Sequence, residues 1–166
     1  MFKHKQLLTG LLIASLLAGC AGMMGGEKYQ PLVVEQKSIP QVSVKVSYKE
    51  AGIYQVQVES DLPETISLLW DSSAYLNTSG DTIRLLHMES MDDFPQDVKQ
   101  LQIPSVIRKG ERLRTFFVGE SWLDYSRRGV TPRPKDTTNT AKIYLAFEMQ
   151  GKKVYWKGEV SFAPLQ

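Results

Sequence analysis

The sequence predicts an all-β domain, most simply an antiparallel β-sandwich, with a small β-barrel as the alternative. Three observations predict it. Apolar residues recur at every second position in at least five segments, the period of a half-buried strand. Turn-forming clusters of Gly, Asn, Asp and Ser separate those segments at intervals of roughly 8–12 residues where the loops are short. No segment carries a convincing 3.6-residue period.

The elements follow in order. Val42, Val44, Val46 and Tyr48 alternate with Ser43, Lys45, Ser47 and Lys49. Lys49-Glu50-Ala51-Gly52 then turns the chain, and Tyr54, Val56 and Val58 alternate with Gln55, Gln57 and Glu59, so the two runs predict a hairpin. Ile66, Leu68 and Trp70 form the next apolar phase, and Ser72 and Ser73 lead through Tyr75 to a turn at Asn77-Thr78-Ser79-Gly80-Asp81. Ile83, Leu85 and His87 follow on one phase. Strands are expected at 102–108 and 112–119, the second central, because both faces are apolar around Phe116, Phe117 and Val118. The clearest pair comes last. Ile143, Leu145, Phe147 and Met149 alternate, Gln150-Gly151-Lys152 turns, and Val154, Trp156, Val160 and Phe162 resume. Leu86 to Gln100 is the one candidate for a helical turn, limited by Pro95. About eight strands of this kind give a sandwich of immunoglobulin-like character, without the cysteine pair of antibody domains, since the chain has one cysteine.

The start of the chain reads differently. Lys3 and Lys5 make a short cationic stretch, and an apolar run from Leu7 to Ala18 follows. A helix that spans a bilayer needs about 20 apolar residues, so this run suits a signal peptide and is too short for a permanent span. It ends in Leu17-Ala18-Gly19-Cys20. That tetrapeptide resembles the lipobox of bacterial lipoproteins. The resemblance covers residues 1–20 alone. It implies cleavage before Cys20, a thioether-linked diacylglyceryl group on the Cys20 sulfur, and usually a further acyl chain. Two or more chains anchor stably where one does not. Ala21 stands where inner-membrane-retained lipoproteins of this kind carry aspartate, which points to an outer-membrane lipoprotein facing the periplasm. The domain plan is therefore 1–19 signal peptide, 20–38 lipidated cysteine and flexible tether, and 39–166 a single β-domain. Gly22, Gly25, Gly26 and Pro31 suggest the tether, although Leu32-Val33-Val34 could add an edge strand and end it earlier.

Charge excludes one class of partner. The full chain carries 20 basic and 18 acidic residues, and loss of Lys3 and Lys5 leaves 18 of each. A nucleic-acid binder needs a net basic surface, so none is expected. With its only cysteine lipidated, the mature chain can form no internal disulfide.

Candidate chemistry is sparse. His87 is the only histidine after residue 20, and it falls on the apolar phase of its strand. A hydrolytic triad would need it beside a nucleophile and a carboxylate, and the chain has no Gly-x-Ser-x-Gly elbow. A packed structural role is the expectation. Glu89, Asp92, Asp93 and Asp97 lack the spacing of a calcium loop, and read as a solvated acidic loop. No metal site and no cofactor is expected. In Trp70-Asp71-Ser72-Ser73, Trp70 is assigned to the core, with Asp71 and the serines bonded to turn backbone.

Residues 119–141 join two strong strands and are too long for an ordinary connection. They combine Trp122 and Tyr125 with Arg127, Arg128 and Arg133, the side chains enriched at binding hot spots. A solvated connection with a partly buried Trp122 is the plain alternative. Together these readings lead to a non-enzymatic envelope lipoprotein, held to a membrane through Cys20, that contacts another envelope protein through this loop. A binding module for cell-wall glycan or lipid ranks second, and a hydrolase third.

Overall fold

The computed structural model describes residues 29–49, 52–93, 95, 99–124, 129–130 and 140–164. Among them strand is the dominant structure and no α-helix occurs. In order these are β1 (Tyr29–Lys37), β2 (Val42–Tyr48), β3 (Tyr54–Ser60), β4 (Ile66–Leu76), β5 (Thr82–Met88), β6 (Ser105–Ile107), β7 (Arg112–Gly119), β8 (Leu123–Asp124), β9 (Gly129–Val130), β10 (Ala141–Met149) and β11 (Lys152–Pro164). A 3-10 turn at Glu120–Trp122 precedes β8. Every strand pair is antiparallel.

The main sheet runs β1-β11-β10-β4-β5-β7-β3-β2, with β6 added to β4 off this path. Its two end strands approach each other, so the sheet rolls nearly shut into a barrel-like form. This is the all-β antiparallel class expected, in a shape between the sandwich and the small barrel. β5 makes the corner: Arg84 pairs with Ala74 of β4, whereas Leu85 to Met88 pair with β7. One strand thus belongs to both walls.

Alternation produces the core. Val42, Val44 and Val46 of β2 and Val56 and Val58 of β3 point inward, while Ser43, Lys45 and Ser47 stay exposed. The interior is completed by Ile66, Leu68, Trp70, Phe117, Ile143, Leu145, Phe147 and Trp156, all 1% exposed or less. Apolar area of this kind leaving water is the main stabilising term of the fold. Trp156 Nε1 donates to Glu35 Oε2 at 2.6 Å, so its polar edge is met at the β1 side. Gly158 is required there, because a Cβ would lie 2.5 Å from the Trp156 ring.

The turns obey local chemistry. Gln150 and Gly151 take φ of 51° and 70° between the paired Met149 and Lys152, a two-residue hairpin whose twist matches its strands. In the β4–β5 turn, Asn77 Oδ1 accepts from the backbone N–H of Ser79 and Asp81, at 3.0 and 2.8 Å.

Several boundaries differ from the sequence reading. β1 occupies Tyr29–Lys37 and pairs with β11, so residues 29–37, expected within a tether through residue 38, belong to the sheet. The Leu32-Val33-Val34 alternative holds, with Val33 packed against the core. The strand expected over 102–108 shortens to Ser105–Ile107, since Pro104 has no N–H to donate. Leu86 to Gln100 forms no helix among its described residues: Leu86 to Met88 complete β5, and bends and turns follow. The signal peptide and Cys20 lie outside the described residues.

Candidate functional site

The site forms where the ladder breaks. β10 and β4 pair regularly up to Tyr144 opposite Ala74, then resume at Ala146 opposite Leu69. Trp70, Asp71, Ser72 and Ser73 therefore bulge opposite the single residue Leu145. A bulge orphans backbone groups. Ser73 repairs it: its hydroxyl donates to Leu69 O at 2.8 Å and accepts from Ala146 N at 3.0 Å. The serine bonds to strand backbone, where turn backbone was expected.

Asp71 is turned outward by the same bulge. It forms an ion pair with Arg84 and accepts from the backbone N–H of Gln102 at 2.9 Å. Burial raises its pKa, but the hydrogen bonds from Arg84 and Gln102 outweigh that and hold the carboxyl below its ordinary value. Asp71 is thus the post to which segment 100–104 is tied.

Gln102 completes the attachment. Its Oε1 accepts from His87 N at 2.6 Å, and its Nε2 donates to Leu85 O at 2.8 Å and Asp71 Oδ1 at 3.1 Å. One side-chain amide takes the place of a strand residue along β5, just where β5 has left β4. Buried backbone groups need such partners, and here the partner is a side chain.

His87 sits beneath that segment. Its ring stacks on Trp70, centroids 4.7 Å apart and planes 15° from parallel. Its Nε2 lies 2.6 Å from Thr115 Oγ1, and that hydroxyl donates to Met88 O at 2.9 Å. The threonine proton being committed, Nε2 carries the hydrogen and donates. Burial pushes the His87 pKa below its ordinary 6.5, against a smaller opposing pull from Glu89 and Asp93. The site thus favours an imidazole that donates from Nε2, and its burial disfavours the charged form. Trp70 Nε1 donates to Ser105 Oγ at 2.9 Å, joining the floor to β6.

Over this floor opens a groove of about 580 Å³, lined on one side by Gln100 to Val106 and on the other by Leu113, Arg114 and Thr115. Its outer lip is apolar and wet. Leu101 and Ile103 are 82% and 84% exposed, and Val106 is 51% exposed. They face outward because Gln102 and Ser105, between them, are held inward by their hydrogen bonds.

The residues singled out in the sequence distribute unevenly. Trp122 is packed: its ring meets Tyr75 edge-on at 4.7 Å and lies 6.2 Å from Tyr54. Gly119 makes room for it, since a Cβ there would come within 2.6 Å of the indole. Trp122 is thus half-buried and packed at one end of the barrel. Around it, Tyr75 is buried, which lifts its pKa to about 12 despite a hydrogen bond from Tyr54. Tyr125, Arg127, Arg128 and Arg133 lie outside the described residues, as does Asp97. Glu89, Asp92 and Asp93 are exposed. Among the described residues, no three His, Cys, Asp or Glu side chains gather as a metal site would require, and no helix is long and apolar enough to cross a membrane.

Sequence reasoning missed Gln102, Thr115 and the Leu101–Ile103 lip. One signal was present. Leu101 and Ile103 flank a polar Gln102 next to Pro104, an alternation placed where the chain is otherwise polar. Comparisons with protein-family models, with curated proteins and with solved structures returned no match.

Proposed function

We propose that this chain is a non-catalytic binding or assembly subunit of the bacterial envelope, tethered by lipid on Cys20, and that it holds another envelope protein at the groove beside residues 100–106. A single observation carries this reading: three large apolar side chains stand exposed on one extended segment at the mouth of a groove. Scattered surface leucines need no explanation, but a contiguous apolar lip next to a polar floor has the anatomy of a recognition site. The lip offers Leu101, Ile103 and Val106 to a partner's apolar side chains. Arg114 and Glu89, of opposite sign, supply polar contacts that fix register.

The hydrolase reading has less support. Thr115 gives its proton to Met88 O, and among the described residues no carboxylate is hydrogen-bonded to the His87 ring. A general base that donates to its would-be nucleophile holds the wrong tautomer for attack.

The test is recovery of a partner from envelopes by mild detergent extraction after cross-linking. Leu101→Asp with Ile103→Asp reduces recovery to background while the melting temperature stays unchanged. Arg127→Ala with Arg128→Ala, run beside it, tells whether the 119–141 segment shares the interface. Undiminished recovery with the lip variant would remove the groove from the reading. Pelleting of the pure protein with peptidoglycan, lost in the same variant, would replace the protein partner with a glycan.

A further inference from the structure

A second unexplained surface lies on the outer face of β1, β11 and β10, away from the groove. On β1, Leu32 and Val34 are 57% and 48% exposed, and on β11 Tyr155 is 40% exposed. Their inward neighbours Val33, Val154 and Trp156 belong to the core, so these three cannot turn in. The same face carries lysines. Register places Lys37 directly across from Lys157. Like charges opposite each other on one sheet face disfavour the pairing unless an anion joins them. Elsewhere on the face the signs alternate, Lys142 opposite Glu159 and Lys153 opposite Glu148. The surplus is therefore positive and sits beside the apolar side chains.

We infer that this face is a membrane-docking surface: Leu32, Val34 and Tyr155 seat at the headgroup boundary, and Lys37 with Lys157 straddles an anionic phospholipid headgroup. The inference rests on the lipid anchor at Cys20 proposed above. Chain length then selects the occupant. Tyr29, where β1 begins, stands only nine positions after Cys20. At full stretch they span about 32 Å. The anchor therefore holds β1, of all the main strands, nearest the bilayer. Apolar contacts plus lysines facing anionic lipid are the two terms by which a surface adheres to an interface without crossing it. A tether this short also raises the local concentration of that face at the membrane, so a weak surface suffices.

Consequences for the groove follow. With β1 and β11 laid on lipid, the strand order puts β4 two strands from β11, with β5 and β7 further round the sheet. The lip at Leu101 and Ile103 is then presented to the aqueous side, where a protein partner can reach it.

The full-length lipoprotein, produced in a lipidating host and purified, tests this. The acyl thioether occupies the one native cysteine, so Val34→Cys and Ile103→Cys each accept a single spin label. The labelled proteins are reconstituted in phosphatidylethanolamine vesicles with and without phosphatidylglycerol. Collisions with a water-soluble nickel reagent fall several-fold at position 34 when phosphatidylglycerol is present, and stay high at position 103. Lys37→Glu with Lys157→Glu removes the drop while the circular dichroism spectrum is unchanged. Equal accessibility at positions 34 and 103 in both vesicle types would overturn the inference. So would a drop that appears only at high protein-to-lipid ratio, which marks a second copy of the chain as the occupant. Mass spectrometry separates this from the anchor itself. If no acyl mass is found on Cys20, the anchoring reading fails by itself. Flotation of the unacylated protein with the two vesicle types then decides the surface, and absence of phosphatidylglycerol-dependent flotation refutes it.

Discussion

The β10–β11 hairpin and the β4–β5–β7 corner use opposite means to hold together. In the hairpin every residue from Ala141 to Met149 has a backbone partner between Lys152 and Val160, with no break in register. At the corner the β4–β10 ladder breaks and β5 leaves β4, and side chains take up backbone groups there: Ser73 at the bulge, Gln102 along β5, and Thr115 at the end of β5. The difference teaches where recognition can arise in a nearly closed sheet. An unbroken ladder presents a uniform wall. A ladder that splits leaves room for a groove, and the side chains that bridge the split decide its shape.

The comparison breaks most severely if removing either tryptophan loosens residues 100–106 to the same extent. Trp156→Ala empties the hairpin side of the core, and Trp70→Ala empties the corner side. Each costs about 3–5 kcal/mol, measured by urea unfolding followed by circular dichroism. They differ in what else they lose: Trp70→Ala also removes the platform of His87 and the bond to Ser105, so it alone changes accessibility along residues 100–106. Next comes Gly158→Ala, which forces the Trp156 ring to shift and costs roughly 1–3 kcal/mol by the same measurement.

Gln102→Ala sharpens the contrast directly. It strands Leu85 O and His87 N without partners, a loss of about 1–3 kcal/mol. Hydrogen exchange of the His87 amide accelerates, while amides of the β10–β11 hairpin keep their protection. Gln57→Ala, on a continuous part of β3, changes stability by no more than about 0.5 kcal/mol. Equal effects from the two substitutions would mean that the side-chain amide is not replacing a strand.

His87 adds a pH signature confined to the corner. Its folded pKa lies below 6.5, so on acidification the unfolded chain takes up the proton first. This contribution is complete above the unfolded value and is lost as pH falls below it through the lower folded pKa. His87→Gln flattens that window. Asp71 acts separately. Its lowered pKa means that its contribution is present above 3.8 and disappears only in stronger acid. The smallest effect belongs to the lip: Leu101→Asp with Ile103→Asp shifts folding stability by within about 0.5 kcal/mol, because these side chains are exposed.

The same contrast explains what was legible. Where pairing is continuous, side chains alternate in and out, and the period of two in β2, β3, β10 and β11 is visible in the sequence. At Trp70-Asp71-Ser72-Ser73 four residues oppose one, so the alternation loses phase and the extent of β4 could not be read. Gln102 looks like any polar residue between two apolar ones. Its role depends on β5 having departed from β4, which is a property of the whole sheet. His87 was placed as a packed residue, and its stack on Trp70 agrees, but its pairing with Thr115 joins residues far apart in sequence. Trp122 stood out by composition, and only the glycine three residues before it, Gly119, hinted that space had been made for its indole.

The pairing of β1 with β11 has a consequence in time. Tyr29 lies opposite Pro164, so the first strand and the last, the latter thirteen residues long, are neighbours. A chain delivered N-terminus first, by a ribosome or through a secretion channel, offers β1 no partner until almost everything else has emerged. Contacts of such sequence separation form late and slowly. For all of that interval Leu32, Val33 and Val34 form an apolar strand with an open edge, the kind of segment that pairs wrongly with other chains. A topology of this kind leaves the β1 edge open to mispairing until β11 is available to close the sheet.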